Sequence, residues 1–501
     1  MCAAVRERMV YPRQGKHPAP DGPGQRGGFF MVATSVPVIS PEAIKELAGK
    51  VQGALVRPGD PDYDEARHVW NGMIDRRPAL IARCRGVADV VACVRFAAEH
   101  GLLLAVRGGG HNVAGFGTCD GGVVIDLSAM RGVRVDPGQR TARAEGGATW
   151  GDVDRETQAF GLAAPGGIVS TTGIAGLTLG GGQGWLRRTH GMTCDNLLSA
   201  DVVTADGRLL VASETENPDL FWAIRGGGGN FGVVTSFEYR LHPVGPMVAF
   251  AGPVYPAEQS ARVMAGFRNF VADAPDEINA SATWWTIPAV PGFPEELHGQ
   301  AVLITGALYA GPATEGEARL MPLRELGEPI LDLSATLPFT ALQQIFDPFF
   351  PAGQLRYYWK SLYLAGLGSE VVDEIVAWTE SRPSALSMAG VWALGGALGR
   401  VDGSATATGE RSAPYLLEIL ANWAAPEETE PNVTWARGFF AAMERFGTGK
   451  ANLNFPGLGE DPQFVRAALG QNYGRLAALK QKYDPTNLFR LNQNIDPRDA
   501  E

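Results

Sequence analysis

Apolar and polar positions alternate with two periods along this chain, and the switches between them predict its elements. Residues 41–55 carry Ala43, Ile44, Leu47 and Val51 at helical spacing, behind a Ser40 cap and with Pro41 at the first helical position, so an opening helix is expected. Arg77-Pro78-Ala79-Leu80-Ile81-Ala82 reads as a strand. Residues 87–100 read as a helix with Val90, Val91, Val94 and Ala97-Ala98 turned inward. Gly101-Leu102-Leu103-Leu104 and Gly122-Val123-Val124-Ile125-Asp126-Leu127 follow as strands on either side of a turn, which makes a small α/β unit. Further on, Val133-Arg134-Val135 and Thr141-Ala142-Arg143-Ala144 are strand-like and residues 150–160 helical. Residues 197–211 form a hairpin about Asp206-Gly207.

Near Pro243 the pattern changes. Strand-like runs at residues 301–304 and 391–394 alternate with helical ones at 260–271, 370–379 and 413–423, an α+β arrangement with a domain boundary near residue 245. The last segment, from Tyr473 to Ile495, is a helix stopped by Asp484-Pro485 and then an extended strand. The fold class is α+β, with units over residues 40–245 and 246–455, a closing segment over 456–501, and a disordered leader expected over residues 1–39.

Composition narrows the function. A net charge of -11 and 19% charged residues over 501 positions leave no concentrated basic surface, so a small molecule is a better partner than nucleic acid. No apolar run has the length of a membrane span, and a cytoplasmic location is the default expectation. The cysteines, Cys2, Cys84, Cys93, Cys119 and Cys194, are odd in number and form no CxxC pair, so neither a disulfide framework nor a zinc site follows. Glycine, at 64 residues without a three-residue period, belongs to turns and close backbone approaches.

Those glycines cluster. Arg107-Gly108-Gly109-Gly110-His111-Asn112-Val113-Ala114-Gly115 places bare backbone beside an arginine and a histidine, as an anion cradle for a pyrophosphate needs; the same residues also read as a plain turn with a half-buried imidazole. Three more glycine-rich segments follow in order: Pro165-Gly166-Gly167, residues 173–184, and residues 226–232. Gly227, Gly229 and Gly232 satisfy G-x-G-x-x-G, but Val233-Val234-Thr235-Ser236-Phe237 is strand-like, and a nicotinamide dinucleotide fingerprint needs a helix there.

Taken together, these segments resemble the vanillyl-alcohol-oxidase superfamily with its PCMH-type FAD-binding domain, and within it the berberine-bridge-enzyme-like FAD-linked oxidases. The resemblance runs from roughly Pro41 to Pro497. It implies a two-subdomain FAD-binding domain, to which the C-terminal segment returns, and a substrate domain whose antiparallel sheet faces the flavin. It further implies a covalent bond from His111 to the flavin 8α-methyl. Contacts to FAD are implied from Arg107, Gly108, Gly109, Gly110, Asn112, Gly115, Pro165, Gly166, Thr171, Thr172, Gly173, Gly176, Gly181, Gly182, Gly184, Asn230, Gly232, Val234, Asn492 and Asn494.

Three positions depart from that pattern. Val169 stands where many relatives carry a cysteine bonded to the flavin, so a single covalent bond is expected and Cys194 is read as packing. Thr172 occupies the position that gates oxygen in relatives, which keeps open a dehydrogenase with a non-oxygen acceptor beside the oxidase. Asn452, in Asn452-Leu453-Asn454-Phe455, replaces a tyrosine that acts as base in relatives, leaving Tyr358 and Lys360 as candidates for that role, Asn452 as a group orienting the substrate, and a catalytically inactive flavin binder as a rival. The expected activity is transfer of a hydride from a sugar, alcohol, amine or secondary metabolite to FAD, with molecular oxygen as acceptor.

Overall fold

A computed structural model describes residues 39–459 and 462–500; the leader expected over residues 1–39 lies outside them, apart from Ile39. The opening helix is Pro41–Ala48. Ser40 Oγ accepts the Ala43 amide and Pro41 sits where no amide donor is required. The helix ends earlier than its apolar pattern predicts because Ala54–Val56 is drawn into an antiparallel strand against Leu80–Arg83.

The first sheet has the order Ala54–Val56, Leu80–Arg83, Val123–Asp126, Leu104–Arg107, with the last three strands parallel and helix Val87–Glu99 packed on it. Parallel strands covered by a helix read as continuous apolar runs, which is how Leu80-Ile81-Ala82 and Val123-Val124-Ile125 stood out. The second sheet is antiparallel, in the order Val133–Asp136, Thr141–Glu145, Val233–Arg240, Leu197–Val203, Leu209–Ser213. Its Asp206-Gly207 turn closes as expected, with Gly207 at φ 74°. Strand Val233–Arg240 follows the glycine run directly, with only a short 3-10 turn, Gly228–Asn230, inside that run.

The third sheet is the largest. Its central order is Pro253–Pro256, Ala301–Tyr309, Ile278–Thr286, Met388–Ala393, Tyr415–Trp423, Arg356–Leu364, with antiparallel pairing throughout. Helices Ser260–Asp273, Ser369–Glu380 and Thr429–Met443 cover one face, and their apolar residues form the largest core with Trp284, Leu417, Ile419 and Trp423. Residues 413–423, expected as a helix, contain the strand Tyr415–Trp423. Every residue of that strand is buried and apolar residues fall on both of its faces, so alternation, the signal that separates strand from helix, is lost.

At the end of the chain, helix Tyr473–Tyr483 packs against helix Pro218–Ile224. Residues 484–496 then run on without the strand expected there. Their amides are taken locally instead: Asp484 accepts from the amides of Leu488 and Phe489, and Asn230 Oδ1 accepts from that of Ile495. No described helix is long and apolar enough to cross a membrane.

Candidate active site

A trough of bare main chain lies between the first two sheets. Its walls are Gly108 to Asn112, the segment from Thr172 to Gly180, glycines 226–229 with Gly232 to Val234, and Leu491 to Gln493 from the closing segment. Two of these walls touch through glycine alone. A Cβ on Gly109 would meet the Gly173 nitrogen at 2.3 Å, and one on Gly173 would meet the Gly109 nitrogen at 2.3 Å, distances no side chain tolerates. Gly232, at φ 156°, lies against Val202 and Val203 in the same way.

The trough suits an elongated, polar cofactor such as FAD. Asn492 Oδ1, Gln493 Nε2 and Asn494 Oδ1 are buried there or beside it without a partner among the described residues, and a buried amide without a partner calls for a ligand or water to satisfy it. Bare backbone at Gly108, Gly109, Gly173 and Gly176 lets a phosphate or a ring approach the chain directly.

The other expected contacts divide by position. Gly115 (φ 75°) packs under Ile74, Gly166 under Trp150, and Gly184 against the Gly166 carbonyl, so these three shape the walls rather than line the trough. Pro165 is likewise absent from the lining. Gly181 and Gly182 turn the chain at φ 102° and 80°, and Gly182 borders a small cavity with Gln183, Tyr363 and Asn452. Asn230 is a strut: Nδ2 donates to Gly227 O and Gln493 O. Val234 and Gly176 line the trough, whereas Thr171 faces an outer cleft. Asn112 lines it too, and Asn112 Oδ1 accepts from the Phe116 amide. Arg107 lines the trough, and its guanidinium is bound to Asp126 Oδ2 at 2.7 Å and to the His68 carbonyl.

His111 stands at one end of the trough. Its imidazole stacks on Trp70, with centroids 4.8 Å apart, and Trp70 stacks on Tyr357 at 3.8 Å. Thr171 Oγ1 lies 3.0 Å from Nε2 and Thr172 Oγ1 lies 3.4 Å from Nδ1. Burial among these groups lowers its pKa to about 3, so the ring is neutral and keeps a nucleophilic lone pair across the physiological range.

The third sheet turns its uncovered face toward this end. Cross-strand pairing puts Tyr357, Trp359, Ser361 and Tyr363 opposite Asn422, Leu420, Glu418 and Leu416. Partners opposite each other share a face. Trp359 and Leu420 belong to the cluster that holds Trp70, while Tyr363 and Leu416 pack with Met192 and Cys194 from beside the trough. Cys194 is thus a buried packing residue, and burial pushes its thiol up.

Tyr358 and Lys360 lie on the opposite face. Tyr358 belongs to the core under the helices and accepts a hydrogen bond from Arg437 Nε; the Lys360 ammonium sits 4.2 Å from the centre of the Phe440 ring. In a strand of period 2 neither can share a face with Trp359, so both side chains lie on the helix-covered side of the sheet. Asn452 is on the trough side but turned inward: Oδ1 accepts the Asn454 amide.

Sequence reading missed Glu418. It is a fully buried carboxyl in the middle of the uncovered face, with Oε2 accepting from Trp392 Nε1 at 2.9 Å and Oε1 without a partner among the described residues. Burial raises its pKa to about 8, against the opposing pull of the Trp392 hydrogen bond and of Arg187, whose guanidinium lies 4.5 Å from the centre of a Trp392 ring. Gly390, beside it, keeps a side chain off the carboxyl: a Cβ there would stand 3.3 Å from Oε2.

Comparison with known proteins agrees with this geometry. A family model described as "FAD binding domain" matches residues 78–213, and one described as "Berberine and berberine like" matches residues 446–496. The chain is 33% identical over 458 residues to an uncharacterised FAD-linked oxidoreductase of Bacillus subtilis, covering 89% of this chain and 98% of that one. It is 34% identical over 465 residues to (R)-6-hydroxynicotine oxidase of Paenarthrobacter nicotinovorans, with 89% and 97% covered. Among solved structures, 6-hydroxy-D-nicotine oxidase from Arthrobacter nicotinovorans superposes with a TM-score of 0.79 at 31% identity, over 89% of this chain and 98% of that one. Xylooligosaccharide oxidase from Myceliophthora thermophila superposes with a TM-score of 0.79 at 25% identity, over 92% and 100%.

Proposed function

The chain belongs to the berberine-like FAD-linked oxidoreductases, and from that premise we propose that it oxidises a small organic substrate at an FAD bound covalently to His111, with Glu418 as proton acceptor and molecular oxygen as electron acceptor. Residues 40–245 with 456–501 form the FAD-binding body in this reading, and residues 246–455 the substrate-binding one. Bound in the trough, FAD supplies the acceptor for a hydride leaving a carbon that bears a hydroxyl or amine.

The chain's own residues do the rest. The glycine walls and the unpartnered amides of Asn492 and Gln493 hold the cofactor's polar length, and His111 offers a neutral imidazole for attachment. Glu418 takes the O–H or N–H proton as the carbon–oxygen or carbon–nitrogen double bond forms. Trp392 fixes Oε2, leaving Oε1 for that proton. Val169, at the position where relatives place a second flavin bond, has no thiol, so His111 carries the only link.

The observation that carries this reading is the convergence of the His111 end of the trough with a sheet face whose central polar group is Glu418. The test is direct. Purified protein is expected to show a flavin spectrum that stays with the polypeptide after acid precipitation, and to release hydrogen peroxide when substrate is oxidised under air. Flavin lost to the supernatant removes the covalent claim; turnover without peroxide replaces oxygen with another acceptor.

A further inference from the structure

We infer that the substrate is a flat, largely apolar aromatic alcohol or amine, not a saccharide; this rests on the FAD-linked oxidase reading and names the class of molecule its site admits. The sheet register ranks the uncovered face. One rank across it is Trp359, Leu420 and Met388, and Trp285 with Val302 continues the same face on the next two strands. The adjacent rank is Ser361, Glu418, Gly390 and Thr283. Two residues along a strand separate the ranks, roughly 7 Å at ~3.4 Å per residue. An aromatic ring lying on the first rank therefore places a carbon one or two bonds away beside Glu418.

Within the apolar rank Trp359 is half-buried while Leu420, Met388, Trp285 and Val302 are buried, and the half-buried Phe349, Phe293, Phe455 and Val169 pack around it from neighbouring loops. Phe349 meets Trp285 edge-on at 4.9 Å, and Phe350 meets Trp359 edge-on at 5.7 Å, so the rings stand as walls rather than as one flat platform.

Hydrogen-bonding capacity is correspondingly small. Asn422 Oδ1 is taken by Trp359 Nε1 and its Nδ2 by the Leu386 carbonyl, while Ser361 Oγ donates to the Asn452 carbonyl and accepts its amide. Glu418 Oε1, buried without a partner, and the hydroxyls of Thr283 and Ser281 are the polar groups of this face left to a ligand among the described residues, and the apolar rank has none. A saccharide carries a hydroxyl on nearly every carbon, and each one buried without a partner weakens binding about tenfold.

The holoenzyme is titrated with 2-naphthylmethanol, 2-naphthylmethylamine, xylobiose and cellobiose, following flavin bleaching without oxygen and heat of binding by calorimetry. The naphthyl probes should bind, and at least one should bleach the flavin; the saccharides should do neither at a hundredfold higher concentration. Trp359→Leu should raise the dissociation constant of the naphthyl probes about tenfold with an unchanged flavin spectrum, and Phe349→Ala serves the same purpose if the first variant does not fold. Bleaching by a saccharide, or no heat of binding from either naphthyl probe, overturns the inference while leaving the flavoprotein reading intact. A protein that holds no flavin overturns both.

Discussion

The imidazole of His111 and the indole of Trp70 lie 17° from parallel, and the indole is in turn within 8° of parallel to the ring of Tyr357. This stack joins the glycine turn of the first sheet to the uncovered face of the third. It also holds the imidazole in one orientation, between the hydroxyls of Thr171 and Thr172.

If that imidazole carries the cofactor, His111→Ala separates attachment from binding, because the trough's glycine walls and amides are untouched. The variant should bind FAD reversibly and lose all of it to the supernatant on acid precipitation, where wild type retains it. Turnover should fall by at least about tenfold, the scale of a lost positioning contact. Equal retention by the two proteins would move the attachment elsewhere.

Glu418→Gln removes the proton acceptor while keeping its shape and its bond to Trp392. Flavin content and spectrum should not change, but the rate of flavin reduction should drop by about 10²–10⁴-fold, the range of general-base catalysis. Only the carboxylate can accept a proton. With the free-enzyme pKa at about 8, wild-type kcat/KM should therefore rise with pH to a limb near that value, and the limb should vanish in the variant. A variant with the wild-type pH profile would exclude Glu418 as the base.

Much of the fold was legible because local chemistry and tertiary role agree in the first two sheets. Ser40-Pro41 starts a helix, Asp206-Gly207 makes a hairpin, and a strand rather than a helix follows the G-x-G-x-x-G that ends at Gly232. The third sheet was harder for a physical reason. Strand Tyr415–Trp423 is buried on both faces, so its run of apolar residues shows neither period, and reading it as a helix hid the one acidic residue within it. The same uncertainty of face, a matter of odd or even position, made Tyr358 and Lys360 the candidates, whereas Tyr357 and Trp359 are the residues of that strand on the face that meets Trp70. Nor could Arg107's partner be seen, since Asp126 is 19 residues away and meets it only through parallel strand pairing.

Lys480 ties the closing segment to the trough. Its ammonium and the Asp484 carboxylate have no exposed surface, and Nζ donates to Asp484 Oδ2 at 2.7 Å, to the Asn230 carbonyl and to the Phe489 carbonyl. Lys480→Met leaves a buried carboxylate facing two carbonyls, a loss expected to cost about 3–5 kcal/mol. Urea unfolding should show it. In a His111→Ala background, where FAD is held without a covalent bond, the same change should also weaken FAD binding, because Phe489, Leu491, Asn492 and Gln493 line the trough and Asn230 braces Gln493. Lost stability with unchanged FAD affinity would confine Lys480 to the core.

A last consequence concerns Asp154, whose carboxyl lies behind the segment that carries Thr171 and Thr172. Gln343 Nε2 donates to Asp154 Oδ2 at 3.0 Å and to the Gly167 carbonyl, while Asp347 accepts both the amide and the hydroxyl of Ser170. Burial, with a smaller contribution from the Asp347 charge, raises the pKa of Asp154 to about 7 from an ordinary 3.8. Between those values the folded chain keeps a proton that the unfolded chain has released. Its contribution to stability is therefore complete below pH 3.8 and is lost as pH rises through about 7. Asp154→Asn abolishes this linkage, so from pH 5 to 7 the unfolding free energy of wild type should fall faster than that of the variant, by up to about 1.4 kcal/mol per pH unit. Glu418, displaced in the same direction, remains in both proteins and does not affect the difference. Parallel curves across that interval would mean that Asp154 is ionised in the folded protein, and that Gln343 and the Ser170 loop accommodate its charge.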